Sequence, residues 1–168
     1  LEPEPEDDIA SMLLQQLGSS GRSFKRAARA SFKKIVSEIY SPPRVTKELV
    51  RRWRKYLLPG FALDITCLDP TDGTPWDFSI KLKRDRARSL IRAQKPYLLI
   101  GSPECKAFST WQYLNESKSQ DVYAMRQAKV QAVLHLNFVA ELYEEQLQAG
   151  RYFLHEHPKG ASSWQLPS

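Results

Sequence analysis

The spacing of apolar and polar residues along the chain predicts strands that alternate with helices. Short apolar runs bounded by proline, glycine or polar turns predict strands at residues 35–40, 61–65, 97–100 and 152–154. Apolar positions three and four residues apart predict helices at residues 45–57, 80–94 and about 121–149. This order is typical of an α/β fold, in which helices cover both faces of a mostly parallel sheet.

The amino-terminal residues differ from the rest in composition. Glutamate and proline alternate in residues 1–6, which predicts a disordered start because such a segment cannot pack. A short amphipathic helix is predicted next, and it ends at Gly18. We therefore divide the chain into an acidic lead with a short helix, residues 1–21, and an α/β domain, residues 22–168.

Charged or reactive side chains stand at or just after the end of each predicted strand, namely Glu38, Asp64, Cys105 and Glu156. Because the carboxyl ends of parallel strands meet at one edge of a sheet, we expect these residues to lie close together. A thiolate is a strong nucleophile, and the amino end of a helix lowers the pKa of a thiol. Cys105 is therefore either a nucleophile or, like most cysteines, a small residue packed in the core.

The basic residues of the chain are clustered. The 168 residues carry a formal net charge of +6, and residues 22–55 alone contain twelve lysines or arginines. Residues 81–95 form a second basic segment. Clustered positive charge attracts polyanions, so DNA is the expected partner. The alternative is that these charges lie on solvated helix faces.

Cysteine content and hydropathy indicate the compartment. The two cysteines, Cys67 and Cys105, do not make a disulfide framework, which fits a reducing environment. No apolar run approaches the roughly 20 residues that cross a bilayer, and the acidic amino end is unlike a signal peptide. We expect an intracellular protein, nuclear or cytoplasmic, without membrane association.

A more specific pattern surrounds Cys105. Residues 100–109, Ile-Gly-Ser-Pro-Glu-Cys-Lys-Ala-Phe-Ser, resemble the Gly-Gly-Pro-Pro-Cys-Gln-x-Phe-Ser signature of DNA cytosine-5 methyltransferases. Other segments resemble motifs of that family in the same order, namely Glu38-Ile-Tyr40, Asp64, Trp76-Asp77-Phe78 and the segment from Phe153 to Pro158. The series also resembles methyltransferase-like segments of retroelement polyproteins.

The resemblance implies a Rossmann-like methyltransferase fold that uses S-adenosylmethionine to methylate carbon-5 of cytosine in DNA. It implies two catalytic residues, Cys105, which adds to carbon-6, and Glu156, which stabilises charge on the base. The residues implied to bind the cofactor are Glu38, Tyr40, Asp64, Asp77 and Ser102. Those implied to bind the substrate are Ser109, Arg44 and His157. The chain corresponds to the amino-terminal part of the family's catalytic domain, so we expect an incomplete domain.

Two departures from the family pattern favour a protein without catalysis. Glu104 replaces a proline, and a carboxylate beside a cysteine is expected to oppose formation of the thiolate. Residues 41–44, Ser-Pro-Pro-Arg, replace the glycine-rich turn that lets the backbone approach a nucleotide. The alternative function is therefore a non-catalytic, basic nucleic-acid-binding module of a mobile-element polyprotein.

The histidines near the last strand suggest one further alternative. A hydrolase could pair Cys105 with His155 or His157, although no motif connects these residues. A metal site is not predicted. On a strand, His155 and His157 share one face while Glu156 points to the other.

Overall fold

The computed structural model describes residues 34–53, 57–108 and 122–166. Four strands within these ranges form one sheet in the order β2-β1-β3-β4, and every neighbouring pair is parallel. The strands are β1 (Lys34–Ile39), β2 (Leu57–Leu63), β3 (Leu98–Gly101) and β4 (Tyr152–His155). The predicted α/β fold with a parallel sheet is confirmed.

Helical segments connect the strands. They are α1 (Val45–Glu48), which continues as a π-helix (Leu49–Trp53), α2 (Lys81–Gln94) and α3 (Val122–Gln148). Short 3₁₀ helices follow β3 at Lys106–Phe108 and β4 at Ser162–Gln165. Within the described ranges, no helix has both the length and the apolar character that crossing a membrane requires.

Helices α2 and α3 pack on the same face of the sheet. The buried core there combines Ile39, Leu63 and Leu99 of the strands with Ala87, Ile91, Phe138, Val139, Leu142 and Tyr143 of the two helices. Ser37 points to this face, because its hydroxyl donates to Gln94 Oε1 of α2 at 2.7 Å. Side chains alternate along a strand, so Glu38 points to the opposite face, where it bonds to α1.

The second strand and the helix before it differ from the prediction. The helical segment is described as far as Trp53, and β2 runs from Leu57 to Leu63 rather than over residues 61–65. Pro59 and Gly60, which stand between the predicted helix and the predicted strand, lie inside β2. A proline is tolerated there because β2 is an edge strand, where a backbone N–H has no ladder partner on the outer side.

Gly60 marks a bulge in the same strand. The pairing shifts by one residue between Val36–Pro59 and Glu38–Ala62, so β2 contains one extra residue. A Cβ atom at Gly60 would lie 2.0 Å from the Ser37 hydroxyl. Only glycine therefore permits the close approach of the two strands at this point.

Gly101 has a comparable role in β3, where it lies against α3. A Cβ atom on this last residue of β3 would lie 2.1 Å from the hydroxyl oxygen of Tyr143 on α3. This glycine thus lets α3 pack directly on the end of β3. This contact positions the part of α3 that faces the carboxyl edge of the sheet.

Several predictions fall outside the described residues. These are the disordered start, the helix that ends at Gly18, the boundary after residue 21, and Ser109.

Candidate functional site

The carboxyl edge of the sheet contains a cavity at the point where the strand order reverses. From β1 the chain moves outward to β2, then returns past β1 to β3 and continues to β4. In open α/β sheets, ligands bind at the crevice that such a reversal creates. A cavity of about 290 Å³ lies there, which we call the edge cavity. Its lining residues are Tyr40, Asp64, Ile65, Trp76, Asp77, Phe78, Ser102, Glu104 and His135.

Tyr40 follows β1 and forms one wall of the edge cavity. Its φ of 55° lies in the left-handed region, which a non-glycine residue occupies only at a cost in energy. Its N–H donates to the Leu63 carbonyl at 2.8 Å, and its ring packs on Phe78 with centroids 4.7 Å apart. These contacts hold a strained backbone where the glycine-rich turn of a nucleotide-binding fold would stand.

The two aspartates of the edge cavity are held by local hydrogen bonds. Asp64 Oδ1 accepts from the backbone N–H and the hydroxyl of Thr66, at 3.0 and 2.6 Å. Asp77 Oδ1 accepts from the Ser79 N–H at 2.9 Å, and hydrogen bonding to Ser79 lowers the pKa of Asp77. These aspartates and Glu104 give the cavity negative charge, which suits a ligand with hydroxyl donors or a positive group.

His135 completes the edge cavity from α3, and sequence reasoning gave it no function. The Tyr40 hydroxyl lies 2.9 Å from its Nδ1. Burial lowers the pKa of His135, although the nearby Asp77 carboxylate opposes this shift. Burial also raises the pKa of the Tyr40 hydroxyl. The pair is therefore a neutral hydrogen-bonded unit at neutral pH, beside two carboxylates.

Glu38 lies outside the edge cavity, although it was expected to bind cofactor. Its side chain is buried, and its carboxylate accepts hydrogen bonds from the backbone N–H groups of Arg44, Val45 and Thr46 and from two hydroxyls, those of Ser41 and Thr46. These bonds tie the start of α1 to the sheet. The acid thus stabilises the turn between β1 and α1.

Cys105 and Glu156 follow neighbouring strands at the same edge of the sheet. The Glu156 N–H donates to the Gly101 carbonyl at 2.9 Å, which extends the β3–β4 pairing by one residue. The Glu156 side chain is exposed and the Cys105 side chain is partly buried. Among the described residues, no hydrogen bond or ion pair joins the two, and neither of them lines the edge cavity.

Glu104, next to Cys105, contacts both the edge cavity and a lysine. It lines the cavity and forms an exposed ion pair with Lys106 at 2.7 Å. The Lys106 ammonium thus neutralises part of the carboxylate charge that was expected to oppose thiolate formation. The Cys105 carbonyl accepts from the Phe108 N–H at 2.9 Å, which closes the short 3₁₀ turn around the thiol.

His155 and His157 line a second cavity of about 270 Å³ between α3, β4 and the last 3₁₀ helix, which we call the aromatic cavity. His155 Nδ1 lies 3.0 Å from the Tyr143 hydroxyl, and His157 Nε2 lies 2.6 Å from the Ser163 hydroxyl. Neither imidazole forms a hydrogen bond with Cys105 in the described part of the chain. The geometry therefore gives no support to a cysteine–histidine hydrolase.

The basic segment at residues 81–95 is largely neutralised by ion pairs. Five of its side chains contact carboxylates, namely Lys81, Lys83, Arg86, Arg88 and Arg92. Burial opposes the ionisation of Asp69, but hydrogen bonds from Lys83, Thr71 and Arg86 outweigh it and lower the aspartate's pKa to about 2. The face of α2 is thus a mixture of both charges rather than a basic surface.

Arg44 is exposed on the turn after β1, where a substrate contact was expected. Its backbone N–H donates to Glu38, and its carbonyl accepts from the Glu48 N–H at 3.2 Å. The described residues contain no group of three or more histidine, cysteine, aspartate or glutamate side chains that could hold a metal ion.

Comparison of the chain with protein-family models, with curated proteins and with solved structures finds no match.

Proposed function

We propose that the protein is a Rossmann-like, S-adenosylmethionine-binding domain related to DNA cytosine-5 methyltransferases. The observation that carries the proposal is the edge cavity at the strand-order reversal. Four residues assigned to the cofactor from motif resemblance, Tyr40, Asp64, Asp77 and Ser102, line this one cavity although they come from three different connections. Such convergence is what a cofactor site at a switch point requires.

The chemistry of the edge cavity fits this cofactor. Asp64 follows the strand beside β1, and a carboxylate at that point accepts hydrogen bonds from ribose hydroxyls. Asp77 can accept a hydrogen bond from an amino group of the base. The negative charge of both aspartates favours a ligand with sulfonium and ammonium groups, while Ile65 and Phe78 offer apolar surface.

In the proposed reaction, this chain's residues act on the cytosine. When bound, S-adenosylmethionine supplies an electrophilic methyl group. The Cys105 thiolate adds to carbon-6 of the base, carbon-5 takes the methyl group, and loss of the carbon-5 proton then releases the thiolate. Glu156 would bind the ring nitrogen and amino group, which offsets the charge that develops on the base. Both residues follow neighbouring strands, β3 and β4, and Ser102 and Glu104, which come directly after β3, line the edge cavity.

Calorimetric titration with S-adenosylmethionine tests the cofactor step. We expect saturable binding that weakens about tenfold or more, or about 1.4 kcal/mol, in Asp64→Ala and in Asp77→Asn. The matched control is Asp85→Asn, which removes an exposed carboxylate of α2 outside the cavity. Absence of binding by the wild-type protein, or equal weakening by the control, would reject the cofactor site.

A covalent trap tests the methyl-transfer step separately. With cofactor and DNA that contains 5-fluorocytosine, the wild-type protein should form a stable adduct, because the fluorine cannot leave as a proton does. Cys105→Ser should abolish the adduct and Cys67→Ser should retain it. Cofactor binding without an adduct would reject the cysteine chemistry while leaving the cofactor site intact.

A second candidate function is a non-catalytic nucleic-acid-binding module. It is favoured by the absence, within the described ranges, of a hydrogen bond or ion pair that activates Cys105. This function predicts DNA binding that weakens steeply with added salt and is unchanged in Cys105→Ala. Binding that does not depend on salt would exclude it.

A further inference from the structure

One loop supplies most of the wall of the edge cavity. Residues 64–80 connect β2 to α2, and those that line the cavity are Asp64, Ile65, Trp76, Asp77 and Phe78. Asp64 begins this loop and Asp77 lies near its end. The distance between the two carboxylates proposed to contact the cofactor therefore depends on how the loop is held.

Backbone hydrogen bonds close the base of the loop, but its tip is open to solvent. The Trp76 N–H donates to the Cys67 carbonyl at 3.1 Å, and the Asp69 N–H donates to the Thr74 carbonyl at 2.8 Å. All residues from 70 to 75 are exposed. An exposed tip gains little from apolar burial, so polar contacts must hold it in place.

A buried lysine of α2 makes these polar contacts. The Lys83 side chain is 3% exposed, and its Nζ lies 2.8 Å from both Asp69 Oδ2 and Asp72 Oδ1. Asp69 is buried as well. The same ammonium lies over the Trp76 ring, 5.1 Å from its centroid. One group thus contacts the loop before, within and after its exposed tip.

The burial of this charge favours a role in geometry rather than in stability. A buried ammonium carries a large desolvation cost, which carboxylates offset only when they are held close to it. An apolar side chain of similar volume can stabilise a protein as well, but it does not require one arrangement of its neighbours. Arg86 contacts the same two aspartates, yet it is 30% exposed, so water screens its ion pairs.

We infer that Lys83 is a positioning residue of the edge cavity, because its ammonium fixes the loop that sets the separation of Asp64 and Asp77. The inference rests on the proposed cofactor site. It adds to that site a residue of α2 that is not among the described residues lining the cavity. Lys83 would therefore act on the cofactor only through the two aspartates.

Calorimetric titration with S-adenosylmethionine, on folded protein, measures the effect. Lys83→Met keeps most of the side-chain volume and removes the ammonium. It should weaken binding about tenfold or more, since small displacements of contacting groups have large effects. The matched control is Lys81→Met on the same helix, which removes an exposed ammonium paired with Asp85 and should leave binding unchanged.

A double variant separates positioning from stability. Lys83→Met alone leaves the buried Asp69 carboxylate with Arg86 as its remaining ionic partner among the described residues, so its melting temperature should fall. Adding Asp69→Asn removes that charge and should restore part of the melting temperature, while binding stays about tenfold weaker. Recovery of the affinity together with the stability would show that Lys83 only stabilises the fold, and would overturn the inference.

Hydrogen exchange tests the loop without any variant, should Lys83→Met fail to fold. In the free wild-type protein, the amide hydrogens of Asp69 and Trp76 should already be protected. Protection that arises only after cofactor is added would overturn the inference. Wild-type affinity in Lys83→Met would reject the role of Lys83 alone, whereas absence of binding by the wild-type protein would reject the proposed function and this inference with it.

Discussion

The same hydrogen-bonded unit, a tyrosine hydroxyl beside a histidine Nδ1, occurs in both cavities. In the edge cavity Tyr40 meets His135 at 2.9 Å, and in the aromatic cavity Tyr143 meets His155 at 3.0 Å. Burial raises the pKa of each tyrosine and lowers the pKa of each histidine. The two units therefore start from the same protonation states.

Their surroundings are different. Asp77 lies close enough to His135 to raise its pKa against the effect of burial. At His155 the neighbouring imidazole of His157 adds to the effect of burial, and the Glu156 carboxylate opposes it. One cavity is lined by carboxylates and the other by aromatic rings. The comparison shows that the charged groups around a tyrosine–histidine pair, rather than the pair itself, decide what kind of ligand the cavity suits.

The largest effect is expected from filling the space at Gly101. In Gly101→Ala the new methyl group would lie 2.1 Å from the Tyr143 hydroxyl, which is fixed by its stacking on Phe153 and its bond to His155. We expect a loss of about 2 kcal/mol in the free energy of unfolding, measured by urea denaturation. Gly160→Ala, where nothing lies within 4 Å, should change stability by less than about 0.5 kcal/mol.

Removal of the two tyrosine hydroxyls gives a direct test of the paired units. Tyr40→Phe and Tyr143→Phe should each lower the free energy of unfolding by about 1 kcal/mol, because each leaves a partly buried histidine nitrogen without its partner. Tyr123→Phe, on an exposed residue, is the control. No change in either variant would mean that water replaces the hydroxyl without cost.

The histidines predict how stability depends on pH. Their pKa values are lowered in the folded state, so between pH 7 and pH 5 the unfolded chain binds more protons than the folded protein. Stability should therefore fall as the pH decreases through 6.5, the ordinary pKa of histidine. Urea titrations at pH 7.5, 6.5 and 5.5 measure this slope, and a stability that rises in this range would contradict the assigned burial.

The smallest effect distinguishes His135 of the edge cavity from His155 of the aromatic cavity. Because the Asp77 carboxylate raises the pKa of His135, Asp77→Asn should lower that pKa further and leave the pKa of His155 unchanged. Titration of the imidazole resonances by NMR measures both values in one experiment. A shift of both resonances would show that the cavities are electrostatically coupled.

Much of the sheet could be predicted from local sequence, because a short apolar run between turn residues has few alternatives to a strand. The exception was β2, where Pro59 and Gly60 usually end an element. They lie within the strand because it is at the edge of the sheet and carries a bulge. Edge position and bulges depend on neighbouring strands, so the local pattern could not contain them.

The residues around the edge cavity were only partly predictable. The strand-end pattern identified Asp64, whereas Tyr40, Asp77 and Ser102 were assigned only from the motif resemblance. His135 lies within an amphipathic helix, where nothing in the local pattern distinguishes a cavity residue from a core residue. Glu38 also ends a strand, but its five hydrogen bonds to the following turn place it in a structural role. The direction of a side chain is set by its partners rather than by its position in the chain.

The ion pairs along α2 weaken the electrostatic attraction between this helix and a polyanion such as DNA. At physiological ionic strength an electric field decays over about 8 Å, so neighbouring opposite charges such as Arg88 and Glu141 cancel before they reach a phosphate backbone. The formal net charge of +6 for the whole chain therefore overstates the attraction that α2 can exert on a polyanion. Retention on a heparin column should consequently change little when the α2 arginines are replaced by glutamine together with their carboxylate partners.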